Sequence, residues 1–362
     1  MHENEIFKKL KEDVDMIIIY NKGEPVIDLN FFYVTGLISG GLFEGSYAIV
    51  YPDETKVITS LLEETSARKG ENDVYIFKTS QERDELLKKL AGNADTIGLN
   101  FSSLTLEDFE KIKKLLGDRR YVDVSTAIME ARMIKDEKEI EIMRKAAKIA
   151  SEVAEIMPDF MKEGMREYEL AGRLVYEMLK RGAEDVAFTS IVAFGENAAE
   201  PHYVPGNRKL KRGDFVLMDF GAKYRKYNSD ITRTFVFGRA AEEQKEMYQV
   251  VLEAQRIGIG MIKEGAHGAE IDTKVREYID STKYRGKMTH STGHGVGLAV
   301  HDHVGLSKYK DVVLREGMVV TVEPGVYVQG FGGVRTEDDV VVRREMGEVL
   351  TTAKKDELIE VS

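Results

Sequence analysis

The strongest constraint on this 362-residue chain is that its later part repeats itself. Lys162-Glu163-Gly164, followed by Glu169-Leu170, returns as Lys263-Glu264-Gly265, followed by Glu270-Ile271, at an offset of 101 residues. The run Arg212-Gly213-Asp214-Phe215-Val216-Leu217-Met218-Asp219-Phe220-Gly221 returns as Glu316-Gly317-Met318-Val319-Val320-Thr321-Val322-Glu323-Pro324-Gly325, at an offset of 104. Asp230 has Glu337 as its counterpart, offset by 107. An offset that grows slowly is what duplicated halves with small loop insertions produce. Each half reads helix, turn, helix, connection, strand, strand. Each brings two carboxylates, Asp219 and Asp230 in the first, Glu323 and Glu337 in the second. If the halves pack about a pseudo-two-fold axis, all four converge on it.

Strand side chains alternate, so Phe215, Leu217 and Asp219 share a face. So do Asp230, Thr232 and Thr234, and again Arg335, Glu337 and Asp339. Asp219 and Asp230 flank Lys223–Asn228, a length suited to a hairpin. Four carboxylates facing one another in an interior repel, and each desolvated charge needs a partner. A pair of divalent metal ions is the simplest neutralisation. Histidine points the same way: the chain has seven, and His290, His294, His301 and His303 fall within fourteen residues. A lone histidine is more often structural. His294, between Gly293 and Gly295 and beside four convergent acids, reads as a ligand, because glycines allow close backbone approach. Oxygens plus one imidazole and no sulfur suit Mn²⁺, Co²⁺, Fe²⁺ or Zn²⁺. Two such ions held together would activate a water and polarise a carbonyl or phosphoryl group.

Composition closes several alternatives. With no cysteine there is no disulfide framework, thiolate zinc site, iron–sulfur cluster or cysteine nucleophile. A net charge of −11 argues against nucleic acid, whose binding is driven by Lys and Arg. No run approaches the roughly eighteen apolar residues that span a bilayer. Met1–Lys11 is charged and lacks the apolar run of a signal peptide, so the chain reads as cytoplasmic, without membrane partners.

The length suggests two domains, divided here as residues 1–125 and 126–362. In the first, Met16–Tyr20, Tyr47–Tyr51 and Val57–Thr59 read as strands, and Gln81–Leu90 and Leu106–Leu116 as helices. Leu106, Phe109, Ile112 and Leu116 form one helical face. The alternation predicts an α/β domain. Phe31, Phe32 and Tyr33 read as core packing beside a loop rather than as a substrate lining. In the second domain a long helix is expected after Asp136, with Glu139 completing a capping box and Pro158 marking its end. Ile140, Met143, Ala147, Ala150 and Val153 make its apolar stripe.

These motifs resemble those of the pita-bread metallopeptidases, which comprise prolidase (Xaa-Pro dipeptidase), Xaa-Pro aminopeptidase and methionine aminopeptidase, with creatinase a metal-free relative. The resemblance covers essentially the whole chain. Phe31-Phe32-Tyr33-Val34-Thr35-Gly36 is similar to the family's N-terminal aromatic-Tyr-x-Thr/Ser-Gly segment, and Arg132–Ala146 to its inter-domain junction. Five ligand motifs follow in order: Asp219 in Asp-Phe-Gly-Ala, Asp230 in Ser-Asp-Ile-Thr-Arg-Thr, His294 in Gly-His-Gly-Val-Gly, Glu323 in Val-Glu-Pro-Gly and Glu337 in Arg-Thr-Glu-Asp. The resemblance implies an α/β (α+β) fold, with an α/β creatinase/prolidase-like domain followed by a pseudo-two-fold pita-bread catalytic domain. It implies two divalent ions, Mn²⁺ or Co²⁺ first and Zn²⁺ or Fe²⁺ next, bridged by Asp230 and Glu337, with Asp219 completing one site and His294 with Glu323 the other. Glu323 would carry the proton, His202 and Tyr203 would face the substrate, His301 would hydrogen-bond the substrate or intermediate, and Arg335 would orient a ligand carboxylate. A homodimer acting on small peptides is also implied.

The pattern departs from the family's dipeptidases at one place. Many of them follow Val-His-Glu/Asp with Pro and an Arg that grips the dipeptide carboxylate, but Val304 and Gly305 hold those positions here, after an inserted His303. A missing bidentate clamp weakens selection for dipeptides. The sequence therefore predicts an exopeptidase that hydrolyses Xaa-Pro bonds at peptide N-termini, leaning to aminopeptidase over dipeptidase. A creatinase-like amidinohydrolase and a non-catalytic peptide-binding module on the same fold are the alternatives.

Overall fold

The alternating apolar runs of the first domain become one six-stranded sheet. Its strands are β1 (Met16–Asn21), β2 (Ser46–Val50), β3 (Thr55–Ser60), β4 (Asp73–Phe77), β5 (Thr96–Leu99) and β6 (Arg120–Asp123), in the order β4-β3-β2-β1-β5-β6. The β1–β2 and β2–β3 pairs are antiparallel and the others parallel. The helices Ser80–Ala91 and Leu106–Leu116 start where Thr79 and Thr105 accept backbone N–H groups, and they bury Leu87, Ala91, Ile112 and Leu116 against Ile18, Ile49, Ile58 and Ile97. Leu106 departs from the expected stripe. As the first residue of its helix it is 75% exposed, and the apolar face that packs on the sheet begins with the partly buried Phe109. Phe31, Phe32 and Tyr33 are core residues, carried on a short helix, Leu29–Thr35, that runs into the loop 36–45. Asp28 caps that helix and Gly36 ends it at φ 65, a left-handed conformation that glycine adopts without strain.

The computed structural model describes residues 2–362, which fall into two compact units meeting at Arg132/Met133. The second unit opens with the helix Glu137–Ile156. Asp136 accepts the Glu139 N–H at 2.8 Å and the Glu139 carboxylate accepts the Asp136 N–H at 2.8 Å. The stripe from Ile140 to Val153 is buried, and a 3₁₀ turn carrying Pro158 follows. Asp136→Ala should destabilise the chain by about 1 kcal/mol in chemical denaturation, the ordinary cost of losing an N-cap. No change would mean that the box is ornamental.

The duplication is visible in the backbone. The helices Glu137–Ile156 and Glu167–Lys180 correspond to Glu242–Met261 and Gly268–Asp280. Gly164 (φ 83) donates to Leu210 O at 2.9 Å, and Gly265 (φ 81) donates to Leu314 O at 2.8 Å. The strands Phe215–Phe220 and Ile231–Phe237 pair antiparallel, as do Val319–Val322 and Asp338–Val341. The two strand pairs are then stitched together. Glu337 N–H reaches Thr232 O at 3.2 Å, Asp230 N–H reaches Asp339 Oδ2 at 2.9 Å, and the Thr234 hydroxyl reaches Arg335 O at 2.9 Å. Among the described residues, no helix is long and apolar enough to cross a membrane.

Candidate active site

Asp219 is the penultimate residue of Phe215–Phe220, Asp230 immediately precedes Ile231–Phe237, and pairing sets Thr232 opposite Asp219. Glu323 follows Val319–Val322, and Glu337 lies between Gly332–Arg335 and Asp338–Val341. His294 comes from the short strand Gly293–His294, paired with Gly305–Leu306. A Cβ on Gly293 would stand 1.9 Å from Thr321 O, so only glycine lets this backbone close on the neighbouring strand, where His294 N–H reaches Thr321 Oγ1 at 3.0 Å. The four acids and His294 line one cavity of about 530 Å³, together with His202, His301 and Arg335.

Asp230, His294 and Glu337 each offer an atom within 4.8 Å of the others. His294 Nε2 lies 3.6 Å from Asp230 Oδ2 and 3.4 Å from Glu323 Oε1. Its Nδ1 is 3.1 Å from Gly295 O and can only donate there, which leaves the Nε2 lone pair aimed at the acids. Asp219 Oδ1 and Asp230 Oδ1 are buried without a hydrogen-bond partner. Buried polar atoms are rarely left so. Clustered anionic oxygens, two of them orphaned, beside an imidazole lone pair fit divalent cations better than any arrangement of hydrogen bonds the chain provides.

Arg335, 2% exposed, donates to Asp219 Oδ2 at 2.5 Å, to Thr232 Oγ1 at 3.0 Å and to the Tyr327 hydroxyl at 2.7 Å. Thr232 in turn donates to Glu337 Oε2 at 2.6 Å, and Thr321 to Glu323 Oε1 at 3.3 Å. Tyr203 departs from the expectation that it faces substrate. Its hydroxyl donates to Glu167 Oε2 at 2.8 Å, its ring packs on the core, and it does not line the cavity. Two residues without an expected role are present instead. His290 lines the cavity, and its Nε2 lies 2.8 Å from the hydroxyl of Tyr327, joining both to Arg335. The four-residue spacing of His290 from His294 was the available clue, whereas nothing in the sequence pointed to Tyr327.

Burial, followed by the charges of Glu337 and Asp219, pushes the Asp230 carboxyl well above its ordinary range. Burial, then Glu323 and Asp219, does the same to Glu337, and burial raises Glu323. A raised carboxyl contributes stability that is present below its unfolded value, near 4, and lost as pH rises through the raised value. Burial holds His290, His294 and His301 below their ordinary value, so their contribution is present above about pH 6.5 and fades as pH falls. Cations and protons therefore compete for these acids. Calorimetry of Mn²⁺ binding near pH 7, in two buffers of different ionisation enthalpy, should show net proton release and tighter binding at higher pH. Binding with no proton exchange would contradict this electrostatic picture.

Residues 141–344 match the model of metallopeptidase family M24, and residues 7–134 that of the creatinase/prolidase N-terminal domain. The chain is 38% identical to the Xaa-Pro dipeptidase of Pyrococcus furiosus over 347 residues, covering 96% of each. It superposes on the X-Pro aminopeptidase from Thermotoga maritima with a TM-score of 0.91 at 34% identity, covering 96% of this chain and 98% of that one. The prolidase from Pyrococcus horikoshii superposes with a TM-score of 0.87 at 35% identity, covering 99% of both.

Proposed function

This chain belongs to metallopeptidase family M24, and from that premise we propose that it is a metal-dependent exopeptidase hydrolysing the Xaa-Pro bond at the N-terminus of di- or oligopeptides. The observation that carries this reading is the convergence of Asp219, Asp230, His294, Glu323 and Glu337 on one cavity. Relatives of comparable similarity are named dipeptidase in one case and aminopeptidase in another. The cavity itself favours the aminopeptidase reading, because among the described residues Arg335 is the one Lys or Arg on its wall and is already committed to Asp219.

Asp219, Asp230, His294, Glu323 and Glu337 are the residues that would hold the divalent cations. Cations held there supply Lewis acidity and an activated water. Glu323, on the wall of the same cavity, is placed to take the proton from the attacking water and deliver it to the departing amine. His301, kept neutral by burial and then by His294 and His202, can donate one N–H to the carbonyl oxygen as charge develops. His202, exposed at the rim, reaches the same oxygen or the leaving group. Arg335 holds Asp219 in place through its 2.5 Å bond. Mn²⁺ or Co²⁺ as the native ion, a homodimer as the assembled form and the cytoplasm as its compartment complete the reading.

The test is hydrolysis of Ala-Pro and Ala-Pro-Ala by chelated chain, before and after re-addition of Mn²⁺, Co²⁺ or Zn²⁺. Metal-restored cleavage is expected, with the tripeptide the better substrate. Cleavage that survives chelation, or none with any ion, would turn the reading towards a non-catalytic module or a metal-free hydrolase.

A further inference from the structure

Beyond the catalytic cavity lies a second one, of about 380 Å³, which shares His290 and Ser291 with it. One fully buried carboxylate holds its walls together. Asp272 accepts the Thr292 N–H at 2.9 Å and hydroxyl at 2.8 Å, Arg276 Nε at 2.9 Å and the Lys308 N–H at 3.0 Å. Arg276 is committed further, to Met288 O at 3.1 Å and to His290 O. Asp280, the acid of this cavity, accepts the Gly286 N–H at 2.8 Å. Lys308 differs from these. Its backbone is fixed by Asp272, but among the described residues its ammonium makes no ion pair, lying 5.2 Å from the Tyr309 ring centroid.

The two cavities are also continuous along the chain, since Gly305 and Ser307 line the first and Lys308 the second. A peptide too long to end in the first cavity brings a carboxylate that, among the described residues, finds no uncommitted Lys or Arg there. Resting on the Xaa-Pro peptidase reading, we propose that the second cavity is a subsite for the free C-terminal carboxylate of peptides longer than a dipeptide, with Lys308 as its charge partner. His290 and Ser291, lining both cavities, place the two side by side. Lys308 would set substrate length without touching the reacting atoms.

The experiment uses the Mn²⁺-loaded full chain and the series Ala-Pro, Ala-Pro-Ala, Ala-Pro-Ala-Ala and Ala-Pro-Ala-Ala-Ala, each as free acid and as C-terminal amide. At one or more lengths beyond the dipeptide the acid should have the lower KM. Lys308→Met should raise the acid's KM relative to its amide by about tenfold, the size of one charge-assisted hydrogen bond, and Lys308→Arg should keep the preference. An acid-to-amide KM ratio identical in wild type and Lys308→Met at every length overturns the subsite. Wild-type cleavage of the dipeptide alone overturns it too, while leaving the peptidase reading intact. Failure of the wild type on every peptide overturns that reading and the subsite with it.

Discussion

Glu323→Gln should lower turnover of an Xaa-Pro peptide by about 10²–10⁴-fold, the usual contribution of a positioned proton carrier. The amide keeps the shape of the side chain and removes its ability to accept and release a proton. The same substitution should leave the fold at least as stable when metal is absent. Glu323 shares its cavity with three other acids, and burial already works against its charge, so a neutral side chain relieves repulsion. Kinetics at saturating Mn²⁺, bound-metal content and thermal melting of the chelated variant, taken together, separate a chemical loss from a loss of metal or of fold. Substantial turnover by the variant would remove Glu323 from the proposed role.

The largest stability effect is expected one layer behind the site. Arg233, 1% exposed, donates to Asp338 Oδ1 at 2.8 Å, to Glu337 O at 2.7 Å, to Thr232 O at 2.9 Å and to Ala353 O. Asp338 also accepts from Thr351 at 2.8 Å, from Gln255 at 3.0 Å and from Lys355. Burial opposes the Asp338 charge, yet Arg233 and Lys355 outweigh it and hold the carboxyl below its ordinary range. Arg233→Met should cost about 3–5 kcal/mol in chemical denaturation, because it breaks a buried ion pair, leaving Asp338 only Lys355 as a cation, and takes the guanidinium donor from the Glu337 and Ala353 carbonyls. Because Arg233 also grips the Glu337 backbone, cation affinity should fall with stability. A loss below about 1 kcal/mol would show that Lys355 alone satisfies Asp338.

The duplicated half was legible because each copy must turn the chain at the same place and aim its acids at the same axis. Gly164 and Gly265 carry nearly the same positive φ, and the acids they precede do line one cavity. The Asp136 cap was legible because a capping box lies within four residues of sequence. What escaped depends on long-range partners. Alternation grouped Arg335, Glu337 and Asp339, but Asp338 gains its meaning from Gln255 and Lys355, which only the fold brings to it. Tyr203 follows His202 in sequence, yet its hydroxyl turns to Glu167. The helix Leu29–Thr35 is seven residues long and buried on nearly every side, so it shows no amphipathic stripe. Asp28 and Gly36 were its only punctuation. Leu106 shows the converse, a periodic apolar position that the tertiary structure leaves in solvent.

The proposal that both halves of the duplicated chain together hold two divalent cations is open to direct measurement. Metal content per chain answers it most directly, measured by mass spectrometry on protein that has been chelated, reloaded with Mn²⁺ and dialysed. Two ions per chain are expected, and fewer when Asp230→Asn removes an oxygen donor. A saturated wild-type chain holding one ion or none would contradict it.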